Sequence, residues 1–247
     1  MSLERTYDGN YLERVSRMFA SSKELGYQWL SPGAGETILD VGCGIGLDAI
    51  EFSNTGVNVV AIDADESFIK EAKQRHATNQ RINFLVGNIF SLPLVDHSID
   101  KVWVDRVFQH LPDHDLALKE LNRVLKPGGK LFLMDTYYNK LLLNFRDSTS
   151  GKHLIDYMIR ERFPYSLALS ELPVNMEISG FSILRQGIEY HRFLGTDQVH
   201  ELFRFHKLMS EMRRKDLISK ETFENWVSDK DVELQLPLGW IYAEKRC

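Results

Sequence analysis

"ILDVGCGIGLDAI", Ile38 to Ile50, decides how the rest of the chain is read. Its opening residues suit a short buried strand, and the apolar run then breaks on three glycines, Gly42, Gly44 and Gly46. Glycine loses more freedom on folding than any other residue, so three at alternate positions imply a loop where something must approach the backbone closely. After Gly46 the pattern turns helical. A loop from a parallel strand into a helix sits at the carboxyl edge of its sheet, where open α/β folds bind ligands and where a helix start offers free N–H groups.

Working outward, the chain alternates. The spacing predicts strands at 38–41, 57–62, 82–86, 99–104 and 130–135, with helices at about 46–54, 65–77 and 113–125. "DADES" at Asp63 to Ser67 supplies acids suited to a helix start, and "KPGG" at Lys126 to Gly129 ends the third helix. Strands alternating with helices imply a parallel sheet covered on both faces. Before the first strand, Tyr11, Val15, Met18, Phe19, Leu25 and Trp29 recur at helical spacing and predict one or two helices over 10–30. After Asp135 the rhythm breaks. Residues 137–178 are rich in aromatics and charges without a clear strand and read as a helical cap. A long strand at 181–194, two helices within 196–228 and a final strand at 238–245 complete the chain. No linker composition divides it, so one domain with a cap is expected.

Composition narrows the function classes. The 247 residues are 43% hydrophobic and 26% charged, ordinary for a soluble globular protein. A net charge of −5 argues against a nucleic-acid partner, and the basic "MRRK" at Met212 to Lys215 reads as a solvated helix face. Two cysteines, Cys43 and Cys247, allow neither a disulfide framework nor a CxxC metal pair, and no metal site is expected. No apolar run reaches the roughly 18 residues that span a bilayer, and the polar N-terminal stretch has no signal-peptide core, so a cytoplasmic location is expected.

The loop spells GxGxG, and Ala49 permits a looser GxGxxG/A reading, so glycine alone leaves a dinucleotide ligand open. The acid Asp40 just before the loop tips the balance: it would repel a pyrophosphate but suits a ligand carrying a cationic amine and sulfonium. Asp63, at the tip of the next strand and 17 residues past Gly46, can accept from two ribose hydroxyls or simply cap the next helix. Asn88 can accept from an adenine amino group while the Ile89 N–H faces a ring nitrogen. Alternatively it is a turn asparagine.

With those residues in hand, "ILDVGCGIG", "AID", "GNIFSLPLVDHSID", "VFQHLPD" and "LNRVLKPGGKLFLMD" together resemble the ordered motifs of class I S-adenosylmethionine-dependent methyltransferases, of the UbiE-like small-molecule type. The resemblance covers about residues 37–136, and the tail "DLISKETFENWVSD" before "LGWIYAEK" is similar as well. It implies a Rossmann-like α/β fold: a seven-stranded sheet with helices on both faces, its last strand antiparallel, and a helical cap inserted after strand 5. Residues 1–36 would be N-terminal helices, 37–136 the cofactor-binding core, 137–180 the cap and 181–247 the C-terminal strands and helices. S-adenosyl-L-methionine would be the cofactor. Asp40, Gly42, Cys43, Gly44 and Gly46 would hold its methionine part, Asp63 and Ala64 the ribose, Asn88 and Ile89 the adenine. Asp105 and Arg106 would lie beneath the methionine moiety. Many relatives carry Asp where this chain has Asn88.

The implied activity is methyl transfer to O, N or C of a small molecule. Orientation alone supplies much of that catalysis, so no catalytic side chain is obligatory. His110 is the candidate base. Tyr11, Phe108, Gln109, Tyr137 and Tyr138 are candidates to line the acceptor pocket, as are His153, Tyr157 and Arg160 of the cap, while Tyr7 and Tyr11 precede the sheet and are placed to close over the cofactor or to pack in the core. The density of aromatics over 137–165 suggests a planar or apolar acceptor. Asp105-Arg106-Val107-Phe108 stands where an Asn/Asp-Pro-Pro-aromatic tetrad would mark amino-methylation of DNA bases, and no Pro-Cys pair serves cytosine C5. Protein or peptide methylation and a non-catalytic cofactor-binding relative are the alternatives, with a nicotinamide dehydrogenase further behind.

Overall fold

The computed structural model describes residues 8–145 and 148–247. In chain order the elements are α1 (Gly9–Met18), α2 (Ala20–Leu30), β1 (Thr37–Val41), α3 (Leu47–Asn54), β2 (Asn58–Asp63), α4 (Glu66–Arg75), β3 (Ile82–Val86), β4 (Ile99–Asp105), α5 (His114–Val124) and β5 (Leu125–Thr136). There follow β6 (Leu142–Asn144), α6 (Ser148–Arg162), α7 (Leu172–Ile178), β7 (Phe181–Leu194), α8 (Thr196–Phe203), α9 (Phe205–Arg214), α10 (Lys220–Ser228) and β8 (Glu233–Lys245). The sheet order is β3-β2-β1-β4-β5-β8-β6, with β7 paired to β8.

Strands β1 to β5 are parallel, with Asp40 opposite Ala61 on β2 and Trp103 on β4. β8 runs antiparallel to β5: Lys130 meets Glu244 while Tyr137 N donates to Pro237 O at 2.9 Å, so one index rises as the other falls. The α/β class, the helices around the sheet and the antiparallel end are as expected, but the sheet has eight strands rather than seven. The extra one is β6, three residues pairing antiparallel with Glu233–Gln235 of β8. Three residues are too few to carry a period-2 signature. The stretch 196–228 forms three helices because Arg204 turns left-handed (φ 50) between α8 and α9 without glycine or proline to announce the break.

The described chain forms two compact units. The first comprises 8–135, 171–187 and 240–247. The second comprises 136–170 and 188–239, with β7 and β8 running through both. In the first, Trp103 on β4 is fully buried between Tyr27 of α2 (4.9 Å) and Phe132 of β5 (4.9 Å), with Phe52 of α3 edge-on. A Cβ at Gly26 would sit 2.5 Å from Trp103 and 2.6 Å from Phe132, so glycine lets α2 press onto the sheet. Aromatic pairs of this kind add about 0.5–1.5 kcal/mol beyond their buried area. In the second unit Tyr138 stacks on Phe163 at 4.4 Å and Phe145 on Trp226 at 5.4 Å, while Arg162 donates to Phe203 O and ties α6 to the end of α8.

Candidate active site

The parallel register brings the ends of β1, β2 and β4 to one edge, which places Gly42, Asp63 and Asp105 there. The loop after β1 is pinned to β2, with Gly42 N and Cys43 N both donating to Ile62 O (2.7 and 3.1 Å). Gly42, Gly44 and Gly46 have φ of 73, 53 and 83, a region costly for L side chains. A Cβ at Gly42 would also meet Val107 Cγ2 at 2.3 Å, so the loop lies flat against the segment after β4. Gly46 caps α3.

Asp63 is locked in place by backbone donors: Gly44 N reaches Oδ2 and Asp65 N reaches Oδ1, each at 2.8 Å. Burial raises its pKa, opposed by those bonds. It therefore fixes the glycine loop as well as presenting a carboxylate beside it, while Asp65, not Asp63, caps α4. Ala64 next to it is exposed. Asn88 Oδ1 accepts from Phe90 N at 3.0 Å, and Ile89 is buried.

Beneath the loop lies a buried ionic cluster. Lys23 of α2, 3% exposed, places Nζ 2.8 and 2.9 Å from the two Asp48 oxygens, 2.9 Å from Asp105 Oδ2 and 3.0 Å from Ser16 Oγ. Asp48 also accepts from Tyr27 OH and from Trp103 Nε1. Arg106 grips Asp105 through two bonds of 2.8 Å and lies over the Phe19 ring. It does so with φ 56, a conformation that costs a non-glycine residue about 1–2 kcal/mol. Although burial alone would raise the Asp105 pKa, Arg106 and Lys23 hold its carboxyl well below the usual range. Asp40 is different. It is 2% exposed and its Oδ2 has no hydrogen-bond partner. Burial, then Asp48, push its carboxyl well above the usual carboxylate range, and Lys23 only partly opposes them. Cys43 is buried, and burial followed by Asp40 raises its thiol pKa, which keeps it protonated.

The remaining sequence-derived candidates separate. Gln109 is buried, its backbone N donating to Asp135 Oδ2 at 3.0 Å and its side-chain oxygen left without a donor. Phe108 is fully buried against His114 and offers no surface to a ligand. His110 contacts Gln109 Nε2 at 3.1 Å. Desolvation by its surroundings and then Arg106 lower its pKa, although the residue keeps solvent exposure that screens part of this. Such an imidazole is neutral at pH 7 and a weak base. Tyr11 is buried in α1. Tyr137 and Tyr138 belong to the second unit, where the Tyr137 ring covers Gly239. Tyr138 lines a cavity of about 700 Å³ there with Leu143, Ile155, Ile159, Arg160 and Pro164. Tyr7 lies outside the described residues. Lys23, Asp48 and Tyr27 are the members of the site that the sequence did not disclose.

Residues 39–133 match a family described as a methyltransferase domain. This segment is a methyltransferase domain. The chain is 33% identical over 171 residues to the 2-methyl-6-phytyl-1,4-hydroquinone methyltransferase of Synechocystis sp., covering 68% of this chain and 52% of that protein. It is 37% identical over 106 residues to demethylmenaquinone methyltransferase of Staphylococcus aureus, covering 41% of this chain and 44% of that protein. The chain spans about half the length of the curated relatives it matches. Its fold is similar to that of Haemonchus contortus phosphoethanolamine N-methyltransferase 2, solved with phosphomonomethylethanolamine and S-adenosylhomocysteine. The TM-score is 0.65 at 18% identity, over 99% of this chain and 59% of that one. Among the described residues no helix is long and apolar enough to cross a membrane.

Proposed function

We propose that this protein is an S-adenosyl-L-methionine-dependent methyltransferase acting on O, N or C of a small molecule. The observation that carries the reading is the pairing of a left-handed glycine loop with a buried carboxylate, Asp40, that has no donor for its Oδ2. A cradle without Cβ atoms beside a buried carboxyl that lacks a counter-charge suits a ligand end bearing positive charge. The methyltransferase domain and the relatives named for quinol methylation support the same reading.

In this reading the loop Gly42 to Gly46 and Asp40 hold the methionine end. Asp63 takes the ribose beside its two backbone donors, and Asn88 with Ile89 frames the adenine. Asp105 does not present a free carboxylate. It is closed by Arg106 and Lys23, so its part is to build a rigid floor under the loop. When bound, S-adenosylmethionine supplies an electrophilic methyl group. The chain's own contribution is to fix the ligand's pose and keep water away, and such orientation accounts for up to about 7–11 kcal/mol of a barrier.

Calorimetric titration tests the core of this. Micromolar binding of S-adenosylmethionine and S-adenosylhomocysteine is expected, with none of NAD⁺, and loss of both in Asp63→Ala and Gly42→Val. Binding of NAD⁺ alone, or full affinity in both variants, defeats the assignment. Methyl label found in lysate macromolecules but not in extractable metabolites would favour peptide methylation instead.

A further inference from the structure

Four other charged groups act on Asp40, namely Asp48 from α3, Lys23 from α2, Asp105 from the end of β4 and Asp63 from β2, and Arg106 beside them pairs with Asp105. The two cations are already engaged. Lys23 lies within 3.0 Å of Asp48 and Asp105, and both Arg106 donors close on Asp105. Tyr27 and Cys43, the other titratable groups nearby, are held neutral. Four carboxylates thus face two cations, which leaves two without a counter-charge: Asp63 is met by two backbone N–H groups, and Asp40 is the one whose Oδ2 has no donor. A buried anion without a counter-charge is resolved by taking up a proton.

We propose that Asp40 carries a proton while no cationic ligand is bound and surrenders it to solvent when the ammonium-bearing methionine end of the cofactor settles against the loop. The inference rests on the cofactor reading above. The balance is simple: the Asp40 O–H bond breaks, its proton leaves to water, and the ligand's ammonium keeps all of its own. Asp40 then makes affinity a function of pH. Between the titration of the free and the ligand-bound carboxyl, each pH unit raises affinity by up to about tenfold. Acidification favours the protonated, ligand-free state.

The test counts protons. The intact protein is titrated with S-adenosylmethionine, S-adenosylhomocysteine and 5′-methylthioadenosine in buffers of different ionisation heat, in steps from acid to alkaline pH over the range in which the protein stays folded. The expected result is a pH interval in which close to one proton leaves per amino-acid-bearing ligand and none per methylthioadenosine. In Asp40→Asn the release disappears and the pH slope of affinity flattens. No release at any pH, equal release with methylthioadenosine, or release that persists in Asp40→Asn overturns the inference. If Asp40→Asn does not fold, ligand-induced infrared difference spectra of the wild type decide. Loss of a protonated-carboxyl band on binding supports the inference, and its absence refutes it. Failure of the wild type to bind S-adenosylmethionine at all is a separate outcome that removes the cofactor reading and this inference with it.

Discussion

Lys23 in the first unit and His200 in the second are both buried titratable side chains, 3% and 7% exposed, and they are handled in opposite ways. The Lys23 ammonium meets oxygens of Asp48, Asp105 and Ser16, and its pKa is raised because the two carboxylates outweigh burial. Neither ring nitrogen of His200 has a hydrogen-bond partner, and the ring stacks on His206 at 3.7 Å. Burial first, then His206, lower its pKa to about 4, with Asp197 opposing. The Lys23 ammonium is tolerated inside the protein because two carboxylates meet it. At His200, where no such partner is present, the group stays neutral. The ionic solution lies beneath the glycine loop and the neutral one lies in a helical elbow, so burial of charge follows the site.

The largest effect is expected from Lys23→Met. Removing the cation leaves Asp48 and Asp105 buried with half their compensation, and breaking such a pair costs about 3–5 kcal/mol. The urea midpoint of unfolding reads this directly. A loss under about 1 kcal/mol would mean that the cluster relaxes by taking up a proton, and would dissolve the contrast with His200.

Lys23 also marks where sequence reading stops. The strand-loop-helix unit at Ile38 to Asn54 was legible because its signals are local: an apolar run, glycines forced by φ, then helical spacing. The strand at Phe181–Leu194 was equally legible from its length. Lys23 was not, because α2 buries Ser22, Lys23, Gly26 and Leu30, a face that reads as polar. Only the helical spacing of Lys23, Gly26 and Leu30 (i, i+3, i+7), with Ser22 one turn before Gly26, hints that this side lies against the sheet. Asp48 was hidden for a related reason, since an acid in the first turn of a helix reads as a dipole partner. β8 begins five residues before its expected start at 238, at Glu233, because Pro237 masks a strand; its lone carbonyl is the group that Tyr137 N uses.

An intermediate effect is expected on acidification, and its sign follows from His200. The folded state holds the ring neutral down to about pH 4, while the unfolded chain takes up the proton near the ordinary histidine value. The contribution is therefore complete above about pH 6.5 and is lost as pH falls from there towards 4. Between pH 7.5 and pH 5 the wild type should lose about 2 kcal/mol more stability than His200→Phe, whose ring keeps the apolar packing without the titration. Parallel curves for the two proteins would show that His200 finds a partner in solution and is closer to Lys23 than it looks.

The smallest effect sharpens the comparison from the other side. Arg75 on α4 looks as well partnered as Lys23: its guanidinium reaches Glu71 at 2.7 and 2.9 Å and also bonds Glu13 of α1. Its side chain is nevertheless one-third exposed, and so are its partners'. Water solvates all three groups in the unfolded and folded states alike, so little Coulomb energy survives, and the ordering of three long side chains offsets what remains. Arg75→Gln should therefore change the urea midpoint by less than about 1 kcal/mol, and the residual should fade as salt is raised towards a Debye length shorter than the pair. Lys23→Met should show no such salt dependence, because its partners are out of solvent. If Arg75→Gln instead cost as much as Lys23→Met and resisted salt, contact number rather than burial would govern these ion pairs, and α1 would owe its place beside α4 to charge.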